Sequence, residues 1–433
     1  MAIIRQNSVS GINSITAQSN AVDFYESDGS VLSIGANISG NVTGDITGNV
    51  TGNVTGDITS SGISTFDVIT GVSTIGVTTV HLTGINDLNY PTAGSLSNRN
   101  IVINGAMQVA VRATSSTSTG YKTIDRMRAA FGQVSVTQSQ QTLTGGSPYD
   151  EGFRYFFRFA NTSTSSANNS YVQLEHRMEA QNMAQSGWKY KDSSSSIVCS
   201  FWARSSLAGT YYAQYRAEDV GTFYFNRSFT LAADTWTKIE QTIPGHSSLV
   251  FDNDANMGFD IVIVPHYGTL YTASSVSVDS WFTRSGDNYL PDFAQNWGNT
   301  SNATFDFTGL QLEVGSNATA FEHRSYGDDL ARCQRYYYRH AVTSNLTGGS
   351  GGYYTTTSGR VWNQFPVTMR AAPTLSVEDF TYDRIGNGAV TATGNTNANT
   401  SVSGATWDGV GLSGGTFGQP LGYLGRWNVS AEL

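Results

Sequence analysis

Residues 40–59 read Gly-Asn-Val-Thr, Gly-Asp-Ile-Thr, Gly-Asn-Val-Thr, Gly-Asn-Val-Thr, Gly-Asp-Ile-Thr, five tandem copies of a four-residue unit. In an extended chain an even period puts Gly and the β-branched residue on one face, and Asn/Asp and Thr on the other. Val42, Ile46, Val50, Val54 and Ile58 then make one apolar row. A lone strand cannot bury such a row, so the pattern calls for identical rows from other copies of the chain packed around a symmetry axis. Fully extended, the repeat spans roughly 66 Å at about 3.3 Å per residue. The alternative is a flexible Gly/Asn/Thr linker. β-Branched residues at every fourth place argue against it. A nine-residue repeat follows, Gly62 to Thr70 and then Gly71 to Thr79, and continues the shaft with a changed pitch.

A chain of 433 residues exceeds one compact domain and fits two globular domains plus an elongated part. Gly, Ser, Thr and Asn abound, charged residues make up 13% and aromatics 12%, and there are eight prolines, which is a β-rich composition. With a net charge of −9 and lysine only at 122, 189, 191 and 238, no basic face for nucleic acid or anionic lipid is visible. Cys199 and Cys333 are far apart and make neither a disulfide framework nor a metal-ligand spacing; both read as buried free thiols. The first residues lack an apolar core of signal-peptide length and no run approaches a membrane span, so synthesis and folding in a cytosol, without membrane insertion, is expected.

Residues 1–39 read as short strands of an attachment segment, and 40–97 as the shaft. Arg5 is the one basic side chain before residue 98, against seven acidic ones, which suits a solvated rod or an acidic plug in a basic socket. From about Asn100, strands are expected at 101–111, 154–160, 171–178, 197–204, 211–215, 236–243, 259–264 and 305–314, separated by Gly/Ser/Asn turns, which is the pattern of an antiparallel sandwich. Along 171–178, Val172, Leu174, His176 and Met178 face one way and Gln173, Glu175 and Arg177 the other, making His176 a core histidine. Residues 197–202 are apolar on both faces, as in a strand covered on each side, with Cys199 a core residue. A helical pattern at 328–335 supplies a hinge within a connector at 327–339. Residues 340–433 then form a smaller terminal sandwich.

The runs Asn98 to Gln108, Gln181 to Ala184, Ser200 to Ser205, Asp234 to Lys238 with Ile243 to Gly245, and above all Gly309 to Tyr326 followed by Cys333 to Tyr337, resemble a module of bacteriophage tail fibre proteins. Phe365 to Thr374 resembles the domain that follows this module in such fibres. The tetrapeptide shaft and Ser14 to Ser30 are similar to fibres of phages of marine bacteria, cyanobacteria in particular. The resemblance implies an all-β, homotrimeric fibre of the virion. Its N-terminus would dock on a tail, baseplate or adaptor protein. A jelly-roll module (98–326) similar to carbohydrate-binding sandwiches would follow the shaft, and a C-terminal domain (340–433) would face a host surface glycan. It carries over no cofactor and no catalytic residue.

The residues themselves point away from an enzyme. Glu175 and Glu179 share a strand face, but four residues separate their backbones by roughly 13 Å, whereas glycosidase carboxylates sit about 5 to 9.5 Å apart. No H-E-x-x-H zincin helix and no G-x-x-x-x-G-K phosphate loop is present. Nonlocal carboxylate pairs keep a polysaccharide-degrading tailspike as an alternative, beside a purely structural fibre. Asp252 to Gly258 resembles the start of a calcium loop, but Gly falls one place late and Ile263 stands where the bidentate Glu belongs, so an Asx-rich turn without metal is expected. Of the tryptophans at 188, 202, 236, 281 and 297, Trp202 and Trp236 lie in strand patterns and read as core. The receptor-binding residues expected from Gly/Ser/Thr/Asn-rich loops are Tyr353, Tyr354 and Trp407. Aromatics at a contact between copies fit the same pattern.

Overall fold

The computed structural model describes residues 97–284, 286–341, 348–393 and 397–433. The expected attachment segment (1–39), all but the last residue of the expected shaft (40–97) and its apolar row, Val42, Ile46, Val50, Val54 and Ile58, lie outside the described residues.

The first body is built from β1 (Ser115–Ser116), β2 (Arg128–Gly132), β3 (Ser135–Thr142), β4 (Tyr155–Ser163), β5 (Tyr171–Glu179), β6 (Ser196–Ser205), β7 (Gly209–Ala217), β8 (Phe223–Leu231), β9 (Thr237–Pro244), β10 (Met257–Tyr267), β11 (Trp281–Phe282) and β12 (Thr304–Val314). They form two six-stranded antiparallel sheets, ordered β1-β3-β4-β12-β6-β9 and β11-β8-β7-β10-β5-β2. One core fills the space between them: Phe157, Ile197, Phe201 and Phe307 come from the first sheet, and Leu174, Tyr215, Phe225 and Ile261 from the second. Each such side chain contributes about 1.5–3 kcal/mol when fully buried. The alternation expected along β5 is present, with Val172, Leu174 and Met178 in the core and His176 buried, where it accepts the Ile103 N–H at 3.4 Å. Strand β6 is covered on both faces: Ile197, Cys199 and Phe201 enter the main core, and Trp202 joins Leu143, Phe153 and Phe156 behind it. Burial pushes the Cys199 thiol up to about 12, which leaves it unreactive.

The strand expected at 101–111 is absent. Asn104 and Met107 have positive φ (61° and 58°), which breaks an extended chain there. Asn104 instead clamps a turn, its amide donating to the Val109 and Asp125 carbonyls (2.9 and 2.8 Å) while its oxygen accepts the Val109 N–H. Asn100 Oδ1 accepts the backbone N–H groups of Val102 and Leu312, and a Cβ at Gly105 would lie 2.0 Å from the Leu310 carbonyl. Two of the runs that carry the phage-fibre resemblance thus pack directly on each other. Trp236 is also not core: it is half-buried just before β9, beneath the Arg204 guanidinium at 4.7 Å.

The connecting helix spans Tyr326–Gln334, with Ser325 as its N-cap accepting the Asp328 N–H. Beyond it lie β13 (Tyr337–Ala341), β14 (Gly348–Tyr353), β15 (Ser358–Gln364), β16 (Thr374–Arg384), β17 (Gly388–Val390), β18 (Asn397–Thr400), β19 (Gly404–Val410) and β20 (Pro420–Ser430). A smaller sandwich of two sheets was expected. These strands instead form one hydrogen-bonded eight-stranded sheet, β17-β16-β20-β14-β15-β19-β18, with β13 also on β20. The sheet rolls over its own core: β16 and β19 are not neighbours in that order, yet Phe380 stacks on Trp407 at 5.5 Å, and a Cβ on Gly409 would meet the Tyr382 ring at 2.7 Å.

The terminal sheet and the sandwich belong to one compact unit, and the expected hinge is clamped. Arg335 donates twice to Glu179 (2.9 and 2.8 Å), and the Tyr336 hydroxyl donates to the same carboxylate at 2.5 Å. Glu432 accepts from Arg112 at 2.9 Å and from the buried Arg126. Arg126 lies 3.5 Å from the Tyr336 ring centre and Arg112 3.6 Å from that of Tyr337. Beside them, burial pushes the Asp125 carboxyl up to about 6 against the pull of Arg112. The native state therefore holds this proton more tightly than the unfolded chain, so the contribution of Asp125 is fully present below about pH 4 and falls as pH rises through about 6. Relative to the parent, Asp125→Asn is expected to gain roughly 1–3 kcal/mol across that window, read from denaturant midpoints at several pH values. A difference that stays constant with pH overturns this.

Candidate functional site

The three receptor-binding residues expected from sequence do not share a surface. Tyr353 ends β14 with its ring inside the terminal core, 2% exposed, and Gly415 crosses so close above it that a Cβ there would meet the ring at 2.0 Å. Trp407 sits in β19, not in a loop, and is 1% exposed between Phe380, Tyr423 and Trp427. Neither is presented to a ligand. Tyr354, the next residue along, is 46% exposed.

Tyr354 borders a surface that the sequence reading missed. Along β15 the side chains alternate, with Val361 buried and Arg360 and Trp362 outward; Trp362 is 44% exposed. Their neighbours on β14 are small, since Ser350 lies opposite Trp362 and Gly352 opposite Arg360. Glycine is required at 351, where a Cβ would lie 1.8 Å from the Arg360 carbonyl. The result is a shallow depression of about 530 Å³ lined by Ser350, Gly351, Gly352, Tyr354, Arg360 and Trp362. On the far side of β15, Asp408 stands opposite Arg360 and receives its guanidinium in a two-point pair, Nη2 at 2.9 Å. An exposed pair of this kind adds little stability. It does offer donors and acceptors beside two aromatic faces, the combination that meets both the C–H faces and the hydroxyls of a sugar.

Register places this surface. Ser430 of β20 pairs with Tyr337 and Thr374, next to the sandwich, whereas Pro420 and Leu421 pair with Gly352 and Arg384. Residues 354–357, 385–388 and 411–419 therefore gather at the end of the terminal sheet away from the sandwich. They carry Tyr354 and Phe417, the latter 74% exposed.

The two carboxylates of β5 are engaged. Glu175 is held by Arg128 and Arg177, and Glu179 by Arg335 and Tyr336. Ser170 Oγ lies 2.8 Å from His266 Nε2, but it also donates to the Ala167 carbonyl, and both residues are buried. Among the described residues His266 Nδ1 has no hydrogen-bond partner to orient it as in a nucleophilic triad. Among the described residues Asp219, Asp252 and Asp254 are the group able to share a cation. The expected Asx turn is present there, with Asp254 accepting the Asn256 N–H at 2.8 Å.

No family model matches the chain, and no curated protein matches it at a significant level. Among solved structures it is similar to TmCBM61 in complex with beta-1,4-galactotriose, with 10% identity over 50% of this chain and 98% of the other and a TM-score of 0.23. It is also similar to CtCBM11, with 12% identity over 48% and 98% and a TM-score of 0.24. A third is the CBM22-1-CBM22-2 tandem domain of Paenibacillus barcinonensis Xyn10C, with 8% identity over 78% and 100% and a TM-score of 0.26. Likenesses at this level say nothing of a ligand; the β-sandwich stands on its own strand pairing.

Proposed function

We propose that the protein is a bacteriophage tail fibre that attaches the virion to the host by binding surface polysaccharide. The observation that carries this reading is the surface of Tyr354, Arg360 and Trp362, toward the end of the terminal sheet away from the sandwich. The tandem repeats and the family motifs supply the remainder: a homotrimer, docked through its N-terminal segment on a tail or adaptor protein, with no catalytic step. Three such surfaces on one fibre make later contacts at high effective concentration, so weak sugar binding becomes firm attachment.

Tyr354→Ala and Trp362→Ala are expected to weaken binding to host cells by about 1–3 kcal/mol per site, a loss that avidity magnifies in adsorption assays. Both side chains are half exposed, so folding, followed by circular dichroism, is expected to be unaffected. Adsorption at the parental rate by the double variant would remove recognition from this surface. Light scattering after size exclusion tests the trimer, and a stable monomer of the full chain excludes it.

A further inference from the structure

The outer face of the second sheet holds a separate cleft. Tyr171 and Gln173 on β5, Arg216 on β7 and Tyr267 at the end of β10 form its floor; Tyr271 from the loop after β10 and Tyr289 from the loop after β11 close over it, joined by the Tyr289 N–H donating to the Tyr271 carbonyl at 2.8 Å. The cavity is about 220 Å³, room for a single sugar ring. Its four tyrosine rings meet edge to face, with Tyr271 5.7 Å from Tyr267, 5.9 Å from Tyr171 and 6.0 Å from Tyr289. Aromatic walls of this kind suit the C–H faces of a pyranose.

Charge sets the cleft apart from the terminal surface. The nearby Glu175 is already matched by two guanidinium groups, Arg128 at 2.7 Å and Arg177 at 2.8 Å. Arg216 faces Asp260 at 3.8 Å, beyond hydrogen-bond reach, and neither Asp260 oxygen has a hydrogen-bond partner among the described residues. Burial, and then the charge of Glu175, push the Asp260 carboxyl well above the usual carboxylate range, against the pull of Arg216 and Arg177. The hydrogen bonds of the Arg216 guanidinium go to neutral groups, Gln214 at 2.7 Å and the Tyr267 hydroxyl at 3.3 Å. A second cation, Arg284, lies 4.3 Å from the Tyr289 ring centre. A guanidinium beneath aromatic walls, with no anion hydrogen-bonded to it, is built to receive a carboxylate.

We infer that this cleft binds an acidic sugar unit of a polysaccharide, with the carboxylate on Arg216 and the ring against the tyrosines. The inference rests on the glycan-binding reading, but concerns a different surface.

The test uses the full chain and calorimetric titration with oligosaccharides of galacturonate, glucuronate and guluronate, each beside a neutral counterpart of equal length. At least one acidic oligosaccharide is expected to bind about tenfold or more tighter than its neutral counterpart, with the preference shrinking as salt rises. Tyr271→Ala, at a half-buried position, is expected to weaken that binding about tenfold. Arg216→Gln is expected to abolish the preference for acid; should that variant fail to fold, Tyr271→Ala and the salt series still decide. Equal affinity for acidic and neutral forms, or binding untouched by Tyr271→Ala, overturns the inference. Should no acidic form be preferred while the Tyr354 and Trp362 variants still lose adsorption, the glycan-binding reading survives and this cleft is excluded from it.

Discussion

Replacing Glu432 with Ala is expected to destabilise the protein by about 3–5 kcal/mol. Its carboxylate joins Arg112 and the fully buried Arg126, whose guanidinium is enclosed by Tyr336 and Tyr121. Arg112 keeps Asp125 when Glu432 is lost, but Arg126 keeps only neutral partners such as the Arg177 carbonyl. A buried charge stripped of its counter-ion is among the most damaging changes a folded chain can suffer. Glu432→Gln, which retains the acceptor oxygen, is expected to fall between parent and Ala. Urea midpoints measure both; an Ala variant within about 0.5 kcal/mol of the parent would mean that the pair is not essential. The same pairing decides how recognition can be mapped. A chain stopped at Arg339 loses Glu432 as well, so a failure of such a truncation to bind cells reports on folding of the sandwich as much as on the missing surface.

Trp407→Ala is expected to cost about 3–5 kcal/mol, by loss of buried area and by the cavity left behind. The indole packs at once on Phe380, Tyr423 and Trp427, at 5.5, 5.4 and 4.8 Å, and so joins strands on both sides of the rolled sheet. Tyr354→Ala, on the surface, is expected to stay within about 0.5 kcal/mol of the parent. Thermal unfolding with near-ultraviolet circular dichroism separates the two. Parental melting of Trp407→Ala would place that ring outside the core. Weakened cell binding by Trp407→Ala is accordingly a folding defect, and Trp362 is the tryptophan to vary when binding is the question.

The parts of the sandwich legible in the sequence are those where side-chain periodicity is set by burial. Val172, Leu174 and Met178 alternate because one face of β5 meets the core, and residues 197–202 are apolar throughout because β6 is covered twice. Strand β3, Ser-Val-Thr-Gln-Ser-Gln-Gln-Thr, gives no such signal. Its polar residues are tied by tertiary contacts, as where Thr123 donates to Gln138 at 2.9 Å. Residues 101–111 mislead in the opposite sense, since β-branched and apolar side chains are buried there by a turn that Asn104 holds together. In the terminal region composition located the aromatics but not their direction. Trp407 stands among small polar residues and points inward, while Trp362 shares the outward positions of a strand with Arg360 and Gln364, a pattern that was there to be read. Continuity of the terminal sheet depends on β20 pairing with β13, β14 and β16, which no local spacing announces. The tyrosine cleft gathers side chains from β5, β7, β10 and a loop, and is equally invisible locally.

Arg126 and Glu432 are separated by 306 residues. At about 5–20 residues per second, a ribosome delivers the second roughly 15–60 s after the first. Throughout that interval Arg126 lacks its carboxylate partner, whereas β12, the strand that pairs between β4 and β6, is complete well before Glu432 is added. Pairing of that sheet can thus precede the Arg126–Glu432 contact, which is the later of the two to form.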